Sequence, residues 1–285
     1  MHFSASAWGL IALSVAAAAV YGLAFESKPP SMLRAVVKTV FLAALAGGLK
    51  LAGAPTIFVI ALAAAALGDF FLAFDKPLVL PLGMVAFLIM QALYIATFLG
   101  LIPDASTDIW PRYAMAATVV AIVVAYLIWF WREARPGKNP LLALLAILGA
   151  FAIGGFPLVI AATGYVEIDG PNAYNVHPNA PLAGFVLAAS IVCIWLRRDL
   201  GVIKLVGMIY AAVILQMVFT SFWLPWAGWT VMLGALSFLL SDGVLSAELF
   251  RLQPDARARR ITGPVVWWTY AAAQLLIAFG VVQLT

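Results

Sequence analysis

Apolar residues run through this chain in long blocks, separated by short connections that carry the charges, prolines and asparagines. Windows of about 17–25 apolar residues are long enough to cross a bilayer as helices. Ten such windows fit: 6–25, 35–51, 55–74, 79–101, 113–131, 140–164, 181–196, 203–224, 227–250 and 264–284. The seventh is the shortest, and only Leu224-Pro225-Trp226 separates the eighth from the ninth, which leaves an eight- or nine-span count open. Gly and Pro occur inside the blocks and no ten-residue alternation appears, so the pattern predicts an all-α polytopic helical bundle and not a barrel. A single transmembrane domain over 1–285 is expected, with no soluble domain and no long linker. The longest outer connection, 165–180, is rich in Pro, Gly and Asn and reads as an ordered turn or short lid.

Composition agrees with that pattern. Of 285 residues, 65% are hydrophobic and 10% charged, against about 45–50% and ~25% in soluble domains, which excludes a soluble enzyme. The net charge of +4 would suggest a nucleic-acid partner in a soluble protein, but here the basic residues sit in the connections between spans, and no nucleic acid is expected. Only His2 precedes the first span while Lys28 and Arg34 follow it, the pattern of an uncleaved first helix with its N-terminus outside. With ten spans from that start, the inner ends hold Lys28, Arg34, Lys38, Lys76, Arg132, Arg135, Lys138, Arg197, Arg198, Lys204, Arg251, Arg257, Arg259 and Arg260, which is 14 of the 16 Lys and Arg. Lys50 and Arg112 remain outside with Asp104, Asp108, Glu167 and Asp169. A miscounted span would scramble this alternation, so the charges support ten spans and place both termini outside, as in a multi-pass protein of a bacterial inner membrane. The basic loop 251–263 suits anionic headgroups or serves topology alone. The one cysteine, Cys193, lies in an apolar block and supplies neither a disulfide nor a metal cluster.

Two carboxylates break the apolar blocks. Asp69 sits in Leu67-Gly68-Asp69-Phe70-Phe71-Leu72 and Asp242 in Leu240-Ser241-Asp242-Gly243-Val244-Leu245. A charge at such depth costs about 2.5–3.5 kcal/mol even on the lenient insertion scale, so it requires a polar partner, a water-filled cavity or a function. Their spans, the third and ninth, run in the same direction. Counting from the inner flanks puts the two acids roughly 9 and 13 Å deep, with Lys38 roughly 6 Å deep, in about one layer. An Asp–Lys–Asp cluster in the inner leaflet is expected, as a structural ion pair or as a reactive site. Thr230, Gly234, Ser237 and Ser241 form a small polar stripe leading to Asp242, which reads as helix packing or as part of the site. Gln91, Tyr94, Tyr270 and Gln274 are further intramembrane polar groups placed to line the same region. No zinc-protease, nucleophile-elbow, Walker or paired-cysteine motif occurs, and no metal or cofactor is expected.

The segment from Leu67 to Phe98, with Gly68-Asp69 in one span and Gly83, Phe87, Gln91, Tyr94 and Phe98 in the next, resembles the YhhN-like family of lysoplasmalogenases. Leu233-Gly-Ala-Leu-Ser-Phe-Leu-Leu-Ser-Asp-Gly-Val-Leu-Ser-Ala-Glu-Leu-Phe250 is similar to the family's motif around its second Asp, and Tyr270-Ala-Ala-Ala-Gln274 to its terminal Tyr-x-x-Ala-Gln. Lys38 matches the Lys that opens the second span, although the Pro that follows it in the family is Thr39 here. The resemblance covers about 35–100 and 205–280. It departs where the family's usual His is Gln91, and where 105–200 adds about two spans.

That resemblance implies hydrolysis of the vinyl-ether bond of a lysoplasmalogen to a fatty aldehyde and a glycerophospho-ethanolamine or -choline. The chemistry calls for what the chain supplies. A vinyl ether breaks when its β-carbon is protonated, so one carboxyl must donate a proton and another must stabilise the oxocarbenium ion and activate water, a division of labour also seen in glycosidases. Asp69 and Asp242 are the expected catalytic pair. Lys38, Gln91, Tyr94, Ser241, Tyr270 and Gln274 are the expected substrate-binding residues. The expected partners are a lysophospholipid substrate and membrane lipids, with no obligate protein partner. A proton-coupled transporter or a non-catalytic lipid-binding protein is the competing reading, since intramembrane acids also mark proton relays.

Overall fold

The computed structural model describes residues 3–74, 79–102, 202–250 and 258–285, with positions 112, 115, 118, 119 and 121 in isolation. The described residues form helices and connections, without a strand. They are α1 (Ala5–Val20, continued by a π-helical stretch Tyr21–Phe25), α2 (Met32–Leu51), α3 (Thr56–Leu72), α4 (Val79–Leu99), α5 (Val202–Ser221), α6 (Trp229–Phe250, preceded by a 3₁₀ turn Trp226–Gly228) and α7 (Arg259–Leu284). Five stretches are long and apolar enough to cross a membrane: Ala5–Phe25, Met32–Leu51, Val79–Leu99, Trp226–Glu248 and Arg259–Leu284. The chain is an integral membrane protein. The expected spans 113–131, 140–164 and 181–196 lie outside the described residues apart from isolated positions.

Two expected starts move outward. α2 begins at Met32 because Ser31 caps it, its Oγ accepting from the Arg34 N–H at 3.2 Å. α7 begins at Arg259, five residues before Pro264, which therefore lies inside the helix and offers no N–H to the Arg260 carbonyl. Apolarity marks where a helix enters hydrocarbon, whereas capping marks where it starts, and the first turn lies between the two.

The chain divides into two compact units, Met1–Ile102 with Leu224–Thr285, and Pro103–Trp223. In the second unit, the buried Arg112 donates from Nη1 to the Phe222 carbonyl at 2.7 Å, a cation satisfying the end of α5.

In the first unit, paired contacts fix the register of antiparallel neighbours. α1 and α2 approach at Gly48, where a Cβ would come within 2.9 Å of Ile11 and 3.0 Å of the Ala7 carbonyl. Leu72 packs over Gly83 and Phe87 over Gly68 between α3 and α4. α6 and α7 meet along the small polar stripe. Gly234 lies against the α7 backbone at Ala273 and Ile277, and the Ser237 and Ser241 hydroxyls donate to the Thr269 and Val266 carbonyls, each at 2.8 Å. Small residues let backbones approach, and hydroxyls then satisfy themselves across the seam. α7 also reaches α1, since the Trp267 Nε1–H donates to the Ala18 carbonyl at 3.1 Å. Side chains of α1, α2, α3, α4 and α6 all meet α7, and the polar centre lies along it.

Candidate functional site

The centre is a buried ion pair. Lys38 on α2 places its Nζ 3.2 Å from Asp69 Oδ1 on α3, and the Tyr270 hydroxyl on α7 donates to Asp69 Oδ2 at 2.8 Å. Asp69 has no exposed surface and the Lys38 side chain 14%. An isolated carboxylate here would be prohibitively costly, and a cation and a hydroxyl donor on its two oxygens are what make it tenable. The ammonium is 5.7 Å from the ring centres of both Tyr21 and Trp267, within cation–π range. The Tyr270 ring meets Phe41, Phe87 and Phe238 edge-on, with ring centres at 6.4, 5.8 and 5.8 Å, so α2, α4 and α6 all hold the phenol in place. Gly68 permits this closure, because a Cβ there would stand 2.7 Å from the Phe87 ring. The pair expected between Lys38 and Asp69 is therefore present.

One turn further along α7 lies a second polar group. The Tyr94 hydroxyl on α4 donates to Gln274 Oε1 at 2.5 Å, and Gln274 Nε2 points to Met90 Sδ at 3.4 Å. Tyr94 is stacked between Phe58 and Phe98. Gln91 is fully buried on α4 between the Phe87 and Tyr94 turns, and neither atom of its amide has a hydrogen-bond partner.

Asp242 stands differently. It lies one turn after Phe238 on the same side of α6, and its neighbour Ser241 is tied to the Val266 carbonyl. Asp242 is partly exposed and makes interactions of its own. Counting inward from flanking charges put both acids in one layer. On α6 the register ties Ser241 to Val266 and Glu248 to Thr262, so Asp242 lies between these two ties, beside the Val266 turn of α7. Ser241 carries out the packing role weighed for its stripe. Lys38, Asp69 and Tyr270 are thus joined directly, Tyr94 and Gln274 form a second group beside them, and Gln91 lies between the two groups.

Several residues of this region were not anticipated. Tyr21, Phe41 and Trp267 complete an aromatic wall with Phe87 and Phe238 of the resemblance motifs, and the spacing of Trp267 and Tyr270 on one face of α7 was the available signal. At the same end as Asp242, Glu248 accepts from the Thr262 hydroxyl, and Arg259 donates to the Glu248 carbonyl at 2.8 Å. Glu26 fills the space over Gly263 where a Cβ would sit. Burial pushes the Glu26 carboxyl above the usual carboxylate range, the neighbouring Arg34 opposes that shift, and Glu248 adds to it. The Arg34 Nε–H donates to the Tyr21 hydroxyl at 3.2 Å, so a basic and aromatic ladder of Arg34, Tyr21 and Lys38 leads inward to Asp69.

These features define a polytopic helical membrane protein built around a lysine–aspartate–tyrosine centre. The YhhN family model matches residues 31–166 and 148–281, and the chain belongs to the YhhN family. The first matched region contains Lys38, Asp69, Gln91 and Tyr94, and the second contains Asp242, Tyr270 and Gln274. The two also run through 101–204, beyond the motifs that carried the resemblance. No curated protein and no solved structure matches the chain.

Proposed function

We propose that this protein is a membrane-embedded hydrolase of the lysoplasmalogenase type, cleaving the vinyl-ether bond of a lysophospholipid with Asp69 and Asp242 as its acid–base pair. The observation that carries the reading is Asp69 itself, a wholly buried carboxylate held between an ammonium and a phenol inside an apolar helix. Membership of the YhhN family supports it. The Lys38 ammonium 3.2 Å from Oδ1 and the Tyr270 hydroxyl on Oδ2 fix the orientation of Asp69, and in this reading it acts as the carboxylate that stabilises an oxocarbenium ion. Asp242, which is partly exposed, is then the proton donor.

A proton from Asp242 adds to the β-carbon of the vinyl ether, and the π electrons form the new C–H bond. The resulting cation, shared between the α-carbon and the ether oxygen, is stabilised by Asp69. Water adds to the α-carbon and gives up a proton, which restores the Asp242 carboxyl. The hemiacetal collapses with cleavage of its C–O bond, releasing a fatty aldehyde and the glycerophospho alcohol. The Lys38 charge stays fixed throughout and holds Asp69 in place. Ten spans, with both termini outside and the 251–263 loop inside, put the Asp242 end of the bundle in the inner leaflet. There the ether bond of an amphiphile lies just below its headgroup.

Purified protein incubated with a lysoplasmalogen and an aldehyde-coupled readout tests the reading. Turnover is expected in the wild type, with a loss of about 10²–10⁴-fold in Asp242→Asn. An Asp242→Asn variant that turns over normally removes the mechanism. A wild-type protein that dissipates a proton gradient in vesicles and releases no aldehyde establishes the transporter reading instead.

A further inference from the structure

Gln91 is a primary amide with no exposed surface, and neither its Nε2 nor its Oε1 is hydrogen-bonded. The polar groups about a turn to either side along α4 are paired: Tyr270, against Phe87, with Asp69, and Tyr94 with Gln274. Buried amides are almost always satisfied by protein, water or ligand, because leaving both the donor and the acceptor dry is costly. A methionine would fill a similar volume without that cost. The amide is also well placed. It follows Phe87 by one turn, about 6 Å along α4, and the Phe87 ring touches that of Tyr270, the phenol bonded to Asp69.

An amide offers an N–H donor and a carbonyl acceptor side by side, and the group that answers both is a hydroxyl. A lysophospholipid carries one free hydroxyl on the glycerol carbon next to the ether-bearing carbon. We propose that Gln91 binds this hydroxyl and thereby restricts the site to lyso lipids. An acylated lipid has an ester at that position, which accepts but cannot donate, so it would leave Oε1 dry and bring a second chain into the α4 layer. The identity of the ligand rests on the hydrolase reading above, whereas the unpartnered amide does not.

Binding without turnover separates the two. The probes are a saturated 1-O-alkyl lysophosphocholine, which has no vinyl ether to cleave, and its counterpart lacking the glycerol hydroxyl. Each is titrated into nanodisc-held protein and followed by tryptophan fluorescence. The wild type is expected to prefer the hydroxyl form by roughly tenfold to a hundredfold, as befits a buried polar group satisfied or left dry. Gln91→Met is expected to bind both forms with the affinity of the hydroxyl-free one, with a Tm equal to or above that of the wild type. Equal binding of the two probes by the wild type overturns the inference and needs no variant to fold. A lower Tm in Gln91→Met with the preference intact also overturns it, because the amide then holds only a structural water. Vinyl-ether turnover without a hydroxyl preference sinks this inference and spares the hydrolase. A hydroxyl preference without turnover does the reverse.

Discussion

α3 and α6 each carry an aspartate beside a glycine in an apolar helix, and the surroundings have made different things of them. At Gly68-Asp69 the missing side chain admits the Phe87 ring, and a Cβ there would stand 2.7 Å from it. The ring helps to seal Asp69, which is fully buried against Lys38 and Tyr270. At Asp242-Gly243 a Cβ on the glycine would meet no atom within 4 Å, and the acid keeps part of its surface open. Similar residues therefore give one acid locked in its geometry and one that is approachable. In the proposed mechanism, which needs a fixed counter-charge and a mobile proton, that asymmetry would divide the labour between two chemically identical groups.

The sharpest way to break the comparison is to unpair the locked acid. Lys38→Met leaves Asp69 buried without its cation, and a loss of about 3–5 kcal/mol is expected by thermal or denaturant unfolding in detergent. Lys38→Met combined with Asp69→Leu should recover most of that stability and none of the aldehyde release. If the single variant is as stable as the wild type, the centre is wetter than its burial indicates.

The glycines provide the next test. Gly68→Ala should cost about 1–3 kcal/mol through overpacking against Phe87. Gly243→Ala should be neutral or stabilising by up to ~1 kcal/mol, because alanine is the better helix former and has room. Equal losses at both sites would erase the difference between sealed and open.

The smallest effect belongs to the end of the bundle that holds Asp242. The folded-state pKa of Glu26 lies above its ordinary value of 4.5, so the protonated carboxyl is the form that folding favours. Its contribution is complete below pH 4.5 and is lost as pH rises through the elevated folded value. Glu26→Gln should remove that part of the decline in Tm with rising pH, and should leave the slope above neutrality unchanged. A variant whose Tm follows the wild type at every pH would show that the carboxyl is as well hydrated as in water.

Much of this protein is written locally. Hydrocarbon solvates no backbone groups, so long apolar blocks could only become helices, and the seven described helices fall on expected spans. The cost of a buried charge likewise singled out Asp69, Asp242 and Lys38 before any geometry was known. Tyr270 and Gln274, one turn apart, read as one face of α7 for the same periodic reason. What no single segment contains is register. Tertiary packing set Lys38 against Asp69 and joined Tyr270 to the same carboxyl. It also bound Ser241 to a backbone carbonyl and drew Tyr21, Phe87 and Trp267 around the centre. Those contacts depend on how far helices slide and how closely glycines let them approach. Such distances are decided by side chains remote in sequence, which meet only when the bundle closes.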